Sequence, residues 1–195
     1  EISGEAGSFD SYKERISYGN TFSNNLETLL SASYYDSKGD TRLFFREFDG
    51  LSTNNGIAEY LDYERYKNLF ANITIHDLTL QSGYHDRKKG IPTASFGTIF
   101  NDSSIFTVDE QFWIDLKYEH EYPGKLNVLA RINYNYYHYY GDYPFAGDPG
   151  AGEAEVVMNN DESTGKWIGS ELQFLKAFDK HKVTSGLYYQ NNLQQ

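Results

Sequence analysis

Apolar and polar residues alternate strictly along residues 126–140 (LNVLARINYNYYHYY). Leu126, Val128, Ala130, Ile132, Tyr134 and Tyr136 share one side of an extended chain. Asn127, Leu129, Arg131, Asn133, Asn135 and Tyr137 share the other. A period of two is that of a β-strand, whose successive side chains point to opposite faces. The same rhythm predicts strands over residues 15–22, 26–36, 63–75, 78–85, 110–120, 166–177 and 183–189. Short polar breaks join them in pairs: Ser23-Asn24-Asn25, His76-Asp77, Tyr122-Pro123-Gly124-Lys125 and Phe178-Asp179-Lys180. Three long loops are expected at about 37–57, 86–106 and 141–165, rich in Gly, Asp, Asn and Ser. Arg65 and Lys67 fall on the apolar phase of their strand, a local misfit that needs an environment where charge is tolerated.

Four hairpins with short turns at one end and long loops at the other imply an up-and-down arrangement. Tyrosines collect toward the long-loop ends, among them Tyr34, Tyr84, Tyr136, Tyr139 and Tyr189. About 9–11 residues cross a bilayer as a tilted strand, and aromatic girdles mark its boundaries. The fold class expected is all-β: an antiparallel up-and-down transmembrane β-barrel of about eight strands, part of a larger barrel, with 1–195 as one segment. A β-sandwich with tyrosine-rich loops is the competing arrangement.

Composition narrows the function classes. The chain has 195 residues, enough for one β-domain, and 17% of them are aromatic, which suits a membrane barrel or a carbohydrate-binding sheet. A net charge of −11 argues against nucleic acid, whose binding needs a basic footprint. No apolar run approaches the length of a membrane helix, and the absence of cysteine excludes disulfides, thiolate metal sites and thiol catalysis. The first ten residues, EISGEAGSFD, have neither the basic nor the apolar part of a signal peptide.

The stretch GSFDSYKERISYGNTFSNNLETLLSASYYDSKGD resembles the first barrel strands of TonB-dependent outer-membrane receptors, past their plug domain. The likeness continues through LDYERYKNLFANITIHDLTLQSGYHDRKKGIPTASFGTIFND to YYGDYP and covers about residues 7–192. The resemblance implies a bacterial outer-membrane location and import of a scarce ligand such as a metal chelate (siderophore) or cobalamin. It implies as partners outer-membrane lipid, a small-molecule ligand, and the plug domain and TonB-like energiser of an intact parent. The chain shows neither a plug nor a segment for the energiser, so it reads as part of the barrel with two open edges. Self-association, closure of the first strand on the last, or a rearranged soluble form is then expected of it alone. Two alternatives stand beside this: a stand-alone eight-stranded outer-membrane barrel with a structural or adhesion role, and a soluble carbohydrate-binding β-domain.

No catalytic residues are assigned. Serines are many, but none has a His or Asp partner at a telling spacing. The histidines, His76, His85, His120, His138 and His181, form no close ligand pair, and no metal or other cofactor is expected. Asp148, Glu153, Glu155, Asp161 and Glu162 make the third loop acidic but lack calcium-loop spacing. Candidates for ligand contact are the loop residues Arg87, Lys88, Lys89, Tyr139 and Tyr140. Lys13, Arg15, Glu27, Asp115, Lys117, Glu119 and Arg131 are expected on the inward face with their pairing open.

Overall fold

The computed structural model describes residues 1–148, 150 and 155–195. Its body is one antiparallel sheet of nine strands: β1 (Ile2–Gly7), β2 (Ser11–Thr21), β3 (Leu26–Ser37), β6 (Glu64–Ile75), β7 (Leu78–Gly90), β8 (Phe106–Tyr122), β9 (Leu126–Ala146), β10 (Val156–Phe178) and β11 (His181–Gln194). Two short strands, β4 (Arg42–Phe44) and β5 (Ile57–Glu59), form a separate ribbon between β3 and β6. Every strand of the large sheet pairs with its neighbours in chain order.

All eight strands read from alternation are present, but most run further at the long-loop end. The strand expected to stop at residue 85 reaches Gly90, and that expected to stop at 140 reaches Ala146. The extensions carry charge on both faces, so periodicity fades there while pairing continues. Arg65 shows why. Its phase misfit is relieved by the adjacent strand, where the Asp36 carboxylate accepts its Nε–H at 2.5 Å. β1 is a ninth strand without apolar alternation, held by pairing Ile2–Gly7 onto Ser11–Ile16.

The tight turns form where polar breaks predict them. Asn25, His76, Gly124, Lys125 and Asp179 take positive φ there, as short hairpin loops require. At the opposite end the segments 38–63 and 91–105 pack on each other. Ala58, Leu61, Ala94 and Phe100 form a small buried core, with Leu43, Phe45 and Phe48 against it. Phe48 stacks on Phe100 at 4.3 Å between ring centroids. Lys89 Nζ donates to the Asp62 carbonyl at 2.9 Å and to its carboxylate at 2.7 Å, tying the first segment to β7. Ile99 N–H donates to the Pro144 carbonyl at 2.8 Å, tying the second to β9. These segments form a folded cap over the upper edge of the sheet.

The expected barrel is not what the chain forms. β1 has β2 as its one neighbour and β11 has β10, so the sheet is open at both edges. The strand count gives a physical reason. Nine antiparallel strands in sequential order leave β1 and β11 running in the same direction. Joining them would make a parallel pair, whereas eight strands would have closed antiparallel. Closure of first on last, and with it the eight-stranded barrel, is withdrawn. The outer-membrane location was implied by the resemblance to barrel receptors; with no barrel formed, it is corrected too. Alternation and tyrosine banding are satisfied equally by an open one-sided sheet.

The two faces differ sharply. Cross-strand neighbours share a face, so register gives the rows directly. Ile16, Ala32, Leu69, Tyr84, Phe112 and Tyr136 make one row of the apolar face, and Leu80, Leu116 and Ile132 belong to another. These side chains are uncovered: Leu69 is 55% exposed, Ile132 53% and Leu187 79%. The opposite face carries amides, hydroxyls and charges, including every member of the expected inward set.

Candidate functional site

The five residues named for ligand contact are strand residues rather than loop residues, and alternation divides them. Arg87, Asp109 and Tyr139 lie in one row of the polar face. Arg87 Nε–H donates to Glu64 at 2.6 Å, and Tyr139 shares a hydrogen bond with Tyr143. Lys89 is on the same face, bound to Asp62. Lys88, Val108 and Tyr140 form a row on the other face. Lys88 Nζ sits 3.7 Å from the Phe106 ring centroid, and Tyr140 donates to Asp142 at 2.5 Å. The basic run is therefore no cluster, and each cation already has a partner. Burial holds the Tyr139 phenol well above its usual range, with the Tyr143 hydrogen bond adding to it.

The acidic set does not converge either. Glu153 lies outside the described residues, and Asp161 and Glu162 are consecutive on β10 and so face opposite ways. Among the described residues no group of three or more His, Cys, Asp or Glu could hold a metal ion. His85 and His120 are engaged locally, with Asn68 and Asp77.

Around these residues the polar face is a hydrogen-bonded ladder. Arg15 Nε–H donates to the Ser17 and Ser31 hydroxyls, Asn68 donates to Ser33, and Gln81 donates to Asn72. Tyr137 donates to Asp109 at 2.6 Å, and that bond, with burial, pushes its phenol up to about 12. One part of the ladder opens into a groove of about 460 Å³ lined by Gln81, Trp113, Asp115, Arg131, Asn133, Asn135 and Trp167. The Asp115 side chain is 6% exposed and accepts the Arg131 Nε–H at 2.6 Å. Two glycines make room. A Cβ on Gly83 would lie 2.4 Å from Trp113 Nε1, and one on Gly169 would lie 2.8 Å from the Asn133 amide. The indole and the amide thus lean onto the backbone of the neighbouring strand. The sequence offered one sign of this groove: both tryptophans stand on the polar phase of their strands, where a large ring has no core to fill.

The junction of cap and sheet responds to pH. Burial pushes the Asp62 carboxyl up, but the Lys89 ammonium and the Asp40 N–H bond to it and outweigh burial, holding it below the usual carboxylate range. A carboxyl depressed on folding gives stability that is full above about pH 4, its unfolded value, and is lost as pH falls through the folded value. Hydrogen exchange of residues 38–63 is expected to quicken below that pH before the strands loosen. Asp62→Asn should remove this step and cost about 1 kcal/mol at neutral pH. An acid profile unchanged by Asp62→Asn would place the sensitivity elsewhere.

Membership of the TonB-dependent receptors would require a barrel wall around a plug. The open sheet provides no enclosed lumen, so the import function for a chelate or cobalamin is withdrawn. Withdrawn with it are the plug, the energiser and membrane lipid as partners. Comparison with protein-family models, curated proteins and solved structures gives no match to this chain.

Proposed function

We propose that this chain is a non-catalytic β-scaffold that works within a larger β-assembly. The observation that carries the reading is a sheet open at both edges whose apolar face is bare. The apolar band spans β2 to β11 and covers roughly 700 Å² in plan, taking strand spacing and rise per residue from standard β-geometry. Isolated proteins rarely leave such a patch uncovered, and it approaches the area each partner buries in a stable interface.

The two edges are unequal. β1 is short and contains Gly4, Glu5 and Gly7. β11 is exposed along its whole length and, from Val183 to Leu193, carries neither charge nor proline. Edges that must stay unpaired usually carry such blocks, so β11 is the edge through which the sheet continues.

Light scattering on the purified chain tests this. Concentration-dependent association and strong binding of a hydrophobic dye are expected. Leu187→Lys with Tyr189→Lys, which charges β11 on its apolar side, should shift the chain toward monomer. A wild-type chain that stays monomeric at all concentrations and binds no dye would overturn the reading.

A further inference from the structure

We propose that the groove between Trp113 and Trp167 is a binding site for a neutral saccharide of about two rings. The site lies on the face opposite the apolar band, so it is independent of the scaffold reading.

Trp113, Asn135 and Trp167 occupy one cross-strand row, with Asn135 in the middle. Their strand positions place the two tryptophans about 10 Å apart, two strand spacings. Asp115, Asn133 and Gly169 form the next row. A sugar ring has an apolar C–H face and a rim of hydroxyls that both donate and accept. The indoles offer flat apolar surface for the first. Primary amides, with both donor and acceptor on one planar group, suit the second.

These amides retain capacity. Asn135 Nδ2 donates to Asn133 Oδ1 at 2.9 Å, which uses one end of each. Among the described residues, Asn133 Nδ2, Asn135 Oδ1 and both indole N–H groups have no partner. A donor–acceptor set thus faces the groove between two aromatic surfaces, in a volume typical of small-molecule sites.

Charge selects a neutral ligand. Among the described residues, the charged side chains lining the groove are Asp115 and Arg131, which neutralise each other at 2.6 Å. An anionic ligand would compete with Asp115 for Arg131 and meet a chain of net charge −11. A cationic one would compete with Arg131 for a carboxylate already buried against it.

The chain has two tryptophans, both in this groove, so emission excited selectively from tryptophan, at wavelengths its tyrosines do not absorb, reports on the site. Titration with neutral gluco-, manno- and galacto-configured disaccharides should give a saturable change in emission for at least one. Trp167→Ala and Asn133→Ala should each weaken binding, by about tenfold for the tryptophan. Saturation-transfer NMR on the wild-type chain should place the strongest contact on one C–H face of the sugar, which does not depend on any variant folding. Leu187→Lys with Tyr189→Lys should leave binding intact, which separates this site from the scaffold reading. No saturable response from any sugar, a response that survives Trp167→Ala, or equal binding of a nucleoside or a uronic acid would overturn the proposal.

Discussion

Gly90→Val is expected to release the cap of residues 38–63 from the sheet and to cost about 3 kcal/mol, the upper part of the range for overpacking a filled site. A Cβ at position 90 would stand 2.2 Å from the Leu61 carbonyl oxygen and 2.7 Å from the Tyr63 ring. Neither neighbour can yield cheaply. Gly90 N–H donates to the Tyr63 carbonyl at 2.9 Å, so a backbone shift breaks that bond. Leu61 is 2% exposed and anchors the small core with Phe100 and Ala58, so it cannot move without opening a cavity. Limited proteolysis should cut within 38–63 in the variant while strand circular dichroism persists. Leu61→Ala should open the same segment by the opposite route, losing core volume at about 2–5 kcal/mol. If Gly90→Val left protease protection unchanged, the contact between cap and β7 would not be what holds the cap.

The same junction shows where sequence reading stops. Alternation located residues 126–140 as a strand because one face is apolar and the other, Leu129 apart, is mostly amide, guanidinium and phenol. The tight turns were legible because Asn25, His76 and Gly124 belong to residue types suited to positive φ at a reversal. Residues 38–63 and 91–105 have no period. Leu43, Phe45, Phe48, Leu61 and Phe100 meet through tertiary packing, and nothing in their spacing announces it. Lys88 and Tyr140 illustrate a subtler loss. Lys88 looked like a loop residue because alternation ends before it, and Tyr140 stood at the last alternating position beside a loop, yet hydrogen bonding between strands carries on past both, through charged rows such as Asp36–Arg65.

Closure was the feature least visible in the sequence. It depends on whether the first and last strands meet, which no pattern along a single strand records. β1 (ISGEAG) has no alternation to betray it. Its presence makes the strand count odd, so that joining the two edges would take a parallel pair, and the edges stay apart. The groove was half legible: Asp115 and Arg131 were placed on the polar face, but their pairing, and the approach of the indoles, depend on register across strands.

Gly83→Val provides the sharpest test of how that polar face is built. Gly83 faces Trp113 across the pair of β7 and β8, in the row that continues to Phe70 on β6. The indole uses the missing side chain: a Cβ would lie 2.4 Å from Nε1 and 2.7 Å from Cε2. Trp113 must then rotate away from the Phe70 ring, now 6.3 Å distant between centroids. Valine by itself favours a strand over glycine, a gain of up to about 1 kcal/mol that partly offsets the clash. The net loss of stability is therefore expected to be modest, about 1–2 kcal/mol, and the spectroscopic effect large. Tryptophan emission should shift to the red and near-ultraviolet dichroism should fall. The decisive comparison is Gly83→Val in a Trp113→Ala background. With the indole gone the clash is gone, and the strand preference of valine remains, so the same substitution should become neutral or stabilising. Such a reversal of sign is coupling between two residues in contact. Additive effects of the two substitutions would mean that the indole does not lie on Gly83, and the groove would lose the surface that defines one of its walls.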